Sequence, residues 1–127
     1  MISVTSTSAH ANLVLINQIG VLLMGPSGSG KSYISHQLVK LDPIKHQLIS
    51  DDLVLLFLSP KNQDPQILLG THPHHPDQLQ PIDLLIDLGK NPEFLNLAKQ
   101  HPLLSHIPYQ INFYQFLVNS KTSLASL

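Results

Sequence analysis

The sequence has no cysteine and no arginine, and Glu93 is its single glutamate. Without cysteine there is no disulfide framework and no thiolate metal site. Without arginine, no guanidinium fork can hold a carboxylate or a phosphate through two oxygens at once. The seven cations are all lysines, and charged residues make up only 12% of the chain, for a formal net charge of −1. No basic stripe forms, so nucleic acid is not an expected partner. The apolar runs fall far short of the ~20 residues that cross a bilayer, so no membrane partner is expected either. Met1-Ile2-Ser3-Val4-Thr5-Ser6 shows no basic segment followed by an apolar one, which argues against a signal peptide. A soluble, cytoplasmic protein is the expectation.

What the chain does have is core. Hydrophobic residues are 43% of 127, enough for one domain over residues 1–127, with 119–127 expected as a frayed tail. Residues 12–16 and 21–24 read as strands around a turn at Asn17-Gln18-Ile19-Gly20, a plausible hairpin. Lys31 to Leu41 reads as a helix with Ile34, Leu38 and Leu41 on one face, stopped by Asp42-Pro43. Strands are expected at 46–50, 53–58, 66–69, 82–88 and 109–113, and a short helix at 92–100. Strands outnumber helices, so an α/β fold whose mixed sheet has antiparallel parts is favoured over a regular βαβ array.

The most informative stretch is "GPSGSGKS": Gly25, Pro26, Ser27, Gly28, Ser29, Gly30, Lys31 and Ser32. It satisfies G-x-x-x-x-G-K-[ST] at every fixed position, between an apolar strand and an amphipathic helix. Small residues let the backbone curl so that successive N–H groups point inward and hold phosphate oxygens. The helix that follows favours anions at its N-terminus. Lys31 brings a full positive charge to the outer phosphates, and the Ser32 hydroxyl can take one Mg²⁺ position. A nucleoside triphosphate with Mg²⁺ is therefore the expected ligand. Phosphoryl transfer also needs carboxylates near the metal or the nucleophile. Asp51 and Asp52 follow the strand at 46–50. If that strand continues through them, alternation aims one carboxylate at the phosphates and the other away.

"GVLLMGPSGSGKS" followed by "LISDDLVLL" resembles the catalytic domain of HPr kinase/phosphorylase, in the short bacterial form without an N-terminal domain. His10, in "AHANLVLI", stands where that family has an active-site histidine. The resemblance covers about residues 8 to 58, with fainter likeness in "PIDLLIDLG" and "IPYQINFYQF". It implies the P-loop fold variant shared with phosphoenolpyruvate carboxykinase. It also implies an ATP- and Mg²⁺-dependent serine kinase acting on HPr, the small phosphocarrier of the sugar phosphotransferase system, in the regulation of carbohydrate metabolism. By the same resemblance Asp51 is the acid/base at the substrate serine, Asp52 its partner near the metal, and His10 an assistant around the phosphates. Family members form hexamers, so a homo-oligomer is possible by analogy alone.

The chain departs from the family pattern at three places. Tyr33 follows GKS where the family has an acidic residue. "ILLGTHPHHP" stands where the family has a Glu-x-Arg-Gly segment that helps bind Mg²⁺. The arginine that the family uses in phosphorolysis has no counterpart, so phosphorylase activity is not expected. Two other readings stay open: a nucleotide-binding sensor module that transfers nothing, and a small-molecule P-loop kinase. His72, His74 and His75 invite a metal hypothesis, but the intervening prolines favour a solvated loop. His36 is expected on the exposed side of the helix. Tyr109, Phe113, Tyr114 and Phe116 read as late core.

Overall fold

The computed structural model describes residues 6–25, 30–60, 62, 66–88 and 102–112. In chain order they form β1 (Ser6–Ala9), β2 (Ala11–Ile16), β3 (Ile19–Met24), α1 (Lys31–Leu41), β4 (His46–Ser50), β5 (Val54–Leu58), β6 (Leu68–Thr71), β7 (Gln80–Pro81), β8 (Leu84–Asp87), a 3-10 turn (Pro102–His106) and β9 (Tyr109–Asn112). The expected mixed sheet is present, but it shares the fold with a second one. The central sheet has the order β4-β2-β3-β8-β9, antiparallel from β4 to β3 and parallel from β3 to β9. The second sheet, β1-β5-β6-β7, is antiparallel throughout.

Two sheets follow from the double-sided burial of β2 and β3. Val14, Ile16, Val21 and Leu23 pack with Leu38 of α1 on one face. Leu13, Leu22 and Met24 pack with Val54, Leu56 and Leu68 of the second sheet on the other. A strand covered on both faces reads as a continuous apolar run, and "ANLVLI" and "IGVLLM" do. Among the described residues, no helix is long and apolar enough to cross a membrane.

Local chemistry sets the element ends. β2 and β3 pair to the last residue, Ile16 opposite Ile19, so only Asn17 and Gln18 turn. Both have positive φ, 49° and 72°, as a primed two-residue turn requires. Ile19 and Gly20, expected in the turn, are therefore strand. α1 has the expected bounds. Its buried face is Lys31, Ser35 and Leu38 with Ile34 half-buried, whereas Leu41 is 61% exposed. Leu41 lies in the last turn, just before Asp42 reverses the chain. The Asp42 carboxylate accepts from the Ile44 and Lys45 amides (3.2 and 3.1 Å), and the buried His46 donates Nδ1–H to the Leu38 carbonyl (2.6 Å). The first two bonds fix the turn after the helix, and the third satisfies a last-turn carbonyl that the helix end otherwise leaves orphaned.

The second half is shifted from expectation for similar reasons. Gln66 and Ile67 do not open β6. Both bond back to Ser59, through Gln66 Nε2 to its carbonyl (2.9 Å) and the Ile67 amide to its hydroxyl (2.8 Å), so pairing starts at Leu58 opposite Leu68. The strand expected at 82–88 begins at Leu84. Gln80 and Pro81 pair with β6, and the chain changes sheets at Ile82 and Asp83. There the Ile82 amide bonds the Leu68 carbonyl (2.9 Å), while Asp83 exchanges bonds with Gly20, its amide to the Gly20 carbonyl (2.8 Å) and its carboxylate from the Gly20 amide (3.1 Å). Tyr109, expected in the core, is 70% exposed, because it opens an edge strand whose neighbouring core is filled by Leu103, Leu104 and Ile107. The helix expected at 92–100, the aromatics Phe113, Tyr114 and Phe116, and the tail lie outside the described residues.

Gly20 packs directly against the backbone of the second sheet: a Cβ there would lie 1.9 Å from the Pro81 carbonyl oxygen. Backbone would have to move to admit it. Gly20→Ala is expected to lower stability by about 1–3 kcal/mol. Urea unfolding should show the lower midpoint with an unchanged slope, and a wild-type midpoint would contradict this account of the crossing.

Candidate functional site

Strand register brings distant residues to one end of the central sheet. Ala11 pairs with Met24, and Leu13 with Ser50. The residues just beyond those strand ends are His10, Gly25, and Asp51 with Asp52, so all lie at the same end. β8 finishes there too, with Asp87 opposite Met24 and the Leu88 amide bonded to the Met24 carbonyl (2.7 Å).

Gly30 stands at the N-cap of α1 with φ 95° and ψ 19°, a left-handed conformation that glycine adopts without a Cβ clash. Its carbonyl accepts the first helical bond, from Ile34 (2.9 Å), and among the described residues no side chain caps the helix. Lys31 is only 9% exposed, and its ammonium donates to the Gly25 carbonyl (2.7 Å) across the mouth of the loop. Pro26, Ser27, Gly28 and Ser29 lie outside the described residues.

The aspartate pair corrects one expectation. β4 does not run on through Asp51 and Asp52; it ends at Ser50, and the pair forms a bend in which both residues are exposed. The reason is local. The buried Ser50 hydroxyl donates to the Leu53 carbonyl, and Asp52 takes φ 72°. The two carboxylates still diverge. Asp51 Oδ1 accepts from the Ser32 hydroxyl (2.9 Å), and Asp52 Oδ1 lies 4.0 Å from His10 Nδ1, with His10 82% and Asp52 76% exposed. Four segments of the sequence therefore meet: the residue before β2, the loop after β3, the start of α1 and the bend after β4. Asp51, rather than Asp52, contacts the hydroxyl assigned to the metal.

Sequence reading passed over three polar residues at this end. Asn12 and Ser35 are fully enclosed, with Asn12 Nδ2 donating to Ser35 Oγ (2.9 Å). Their only signal was a polar residue at an inward position of an apolar strand and another on the inward face of α1. Asp87 is buried at the end of Leu84-Leu85-Ile86, an apolar strand closing on a carboxylate.

The histidine loop lies apart. The His74 amide donates to His72 Nδ1 (2.9 Å) and the His75 amide to the His72 carbonyl (2.9 Å), a tight turn that uses one ring nitrogen as an acceptor. Among the described residues, no three histidine, cysteine or acidic side chains are grouped to hold a metal. His36 is exposed, as its place on the helix predicted.

The fold and site define a mixed α/β protein with a glycine-rich segment between strand and helix and two carboxylates at the same end of the central sheet. The family model of the HPr Serine kinase C-terminal domain matches residues 3–84, and the chain belongs to that family. It is similar to the HPr kinase/phosphorylase of Limosilactobacillus reuteri (strain DSM 20016), 42% identical over 66 residues, or 52% of this chain and 18% of that protein. Against the HPr kinase/phosphorylase of Bacillus cereus (strain B4264) it is 38% identical over 68 residues, or 54% of this chain and 20% of that one. The matched segment thus spans about a fifth of either relative's length. The solved structure of the Hpr(Ser) kinase/phosphatase from Coxiella burnetii is similar at 25% identity and a TM-score of 0.45, covering 64% of this chain and 58% of that one.

His10 and Asp52 face each other across solvent, where screening and side-chain entropy leave an ion pair little net value. His10→Gln is expected to change stability by less than about 0.5 kcal/mol. Thermal unfolding at low and high salt checks this; a larger, salt-sensitive loss would make His10 a structural residue.

Proposed function

We propose that this chain is an ATP-dependent serine kinase domain whose substrate is HPr or a related phosphocarrier protein. The observation that carries the reading is the convergence of Lys31, Ser32 and Asp51: an ammonium turned into the loop, and a hydroxyl bonded to a carboxylate at the N-terminus of α1. The donor set fits MgATP. Hydroxyl and carboxylate oxygens suit a hard cation that keeps several of its waters, and the helix start with its lysine suits phosphate oxygens.

MgATP, when bound, supplies the phosphoryl group to be transferred. Lys31 holds the outer phosphates by charge. Ser32 and Asp52 serve the metal side, with Asp51 bordering it through its bond to Ser32. Asp51 takes the proton from the substrate hydroxyl, a role supported by its exposed carboxylate beside the start of α1. His10, next to Asp52, assists at the phosphates. Asp87, ending the parallel neighbour of the strand that feeds the loop, adds a buried carboxylate of the kind P-loop enzymes use near the metal. A second reading, nucleotide binding without transfer, is favoured by one fact: the chain lacks arginine, so phosphoryl charge must be met by lysine and metal alone.

Calorimetry and a transfer assay separate the two. Lys31→Ala should weaken MgATP binding by roughly a hundredfold, about 2.7 kcal/mol. With labelled ATP and HPr, Asp51→Asn should cut transfer by about 10² or more while affinity stays within a few fold. Equal affinity in wild type and Lys31→Ala defeats the loop assignment. A wild type that binds MgATP and labels no protein defeats the kinase in favour of the binding module. If Asp52→Asn rather than Asp51→Asn abolishes transfer, the two carboxylates exchange roles.

Direction is also expected to be one-sided. Attack of inorganic phosphate on phosphoserine brings two phosphate groups together, at a cost of several kcal/mol within ~4 Å at an effective dielectric near 20. Arginine forks suit that repulsion best, and there are none. Serine-phosphorylated HPr incubated with the protein, Mg²⁺ and millimolar phosphate should release no pyrophosphate above background. Release at the forward rate would show that lysine and metal suffice.

A further inference from the structure

Asn12 lies beneath the site and reaches Asp52 through its main chain. It is fully enclosed on the α1 face of the central sheet. Its two ends are spoken for. Oδ1 accepts from the Asp52 amide (2.8 Å), and Nδ2 donates to Ser35 Oγ (2.9 Å), whose own hydrogen goes to the Lys31 carbonyl (2.7 Å). The direction of the chain is forced. A main-chain amide can only donate, so the oxygen of Asn12 faces Asp52 and its nitrogen faces Ser35. A main-chain carbonyl can only accept, so Ser35 gives its proton to Lys31. The next residue, Ser32, bonds Asp51 and closes a ring between the bend and the first turn of α1.

Stability alone does not call for this arrangement. An enclosed amide and hydroxyl add little net stability, and an apolar pair of the same shape would pack as well. What the pair does is hold an exposed bend. Asp51, Asp52 and Leu53 are all exposed, and Asp52 sits at φ 72°, a strained conformation for a residue with a Cβ. The bend is pinned by the Ser50–Leu53 bond at its neck and by Asn12 at its tip.

We propose that Asn12, relayed through Ser35, is a positioning residue: it fixes the Asp51–Asp52 bend against the start of α1, so that both carboxylates are preset for the metal and phosphate side of the loop. This rests on the nucleotide-binding reading above. The bond from Asn12 makes the metal contribution of Asp52 a property of β2, not of the bend alone.

The test compares the full chain as wild type, Asn12→Val, Ser35→Ala and the double variant. Asn12→Val alone strips the Ser35 hydroxyl of its donor and should destabilise. The double variant removes both enclosed polar groups and should regain stability toward wild type. Positioning is read separately. Amide exchange at Asp52 should accelerate by about tenfold or more in Asn12→Val and in the double variant. In those same two proteins the gain in ATP affinity on adding Mg²⁺ should fall by about tenfold. Recovery of stability without recovery of the Mg²⁺ gain is the expected signature. If the double variant is stable and keeps wild-type Asp52 exchange and Mg²⁺ gain, the pair is only packing and the proposal is overturned. Faster Asp52 exchange with an undiminished Mg²⁺ gain overturns it as well, since the tie would then hold the bend to no effect on the site. A wild type that binds no ATP at all is a distinct result: it removes the underlying reading, and the proposal goes with it.

Discussion

The central constraint is that β2 and β3 have no solvent face. Val14, Val21 and Leu23 must be covered by α1, and Leu13, Leu22 and Met24 by a second sheet. Covering one side forces the helix to start directly after β3, across the glycine loop. Covering the other forces β1 and β5 to lie beneath, which puts the β4–β5 bend at the same end as the loop. The site is therefore a consequence of how two apolar strands are buried. Interiors pack closely enough that a helix seated this way has little freedom to shift.

On that frame the polar residues do different work according to burial. Lys31, Asn12 and Ser35 are enclosed and bonded to main chain or to one another, so their geometry is set by packing. Asp51, Asp52, His10 and Ser32 are exposed, and their side chains pair Ser32 with Asp51 and His10 with Asp52. A rigid floor with an accessible carboxylate rim is what phosphoryl chemistry asks of a protein, because catalysis there is mostly placement and charge. Family membership fits this arrangement, and the matched residues 3–84 take in the loop, the bend and His10. Asp87 and the parallel strand β9 lie beyond that match.

Periodicity and punctuation made much of the local structure legible. The α1 bounds, the β2–β3 hairpin and the strand before the aspartates could be read because each is signalled within a few residues: a 3.6-residue spacing, a turn dipeptide, an Asp-Pro stop. The left-handed Gly30 before α1 was legible for the same reason, since the motif puts a glycine there. Errors fell where the deciding contact came from another element. Gln66 and Ile67 have strand composition but are claimed by Ser59. Gln80 and Pro81 pair with β6 before the chain reaches β8. Tyr109 is aromatic but opens an edge.

The sequence by itself determined the chemistry available: one G-x-x-x-x-G-K-S segment with its lysine, a pair of aspartates, and no arginine. Those are statements about residue type and short spacing, which local physics settles. Only the tertiary structure decided which of these groups meet. That Asp51 turns to Ser32 and Asp52 to His10 depends on a bend, not on the strand alternation that the sequence suggested. That Asn12 joins the bend to the helix depends on residues separated by 23 and 40 positions. Such contacts exist because burial of β2 brings α1 and the bend against it, and no local pattern records which partners a buried strand will acquire.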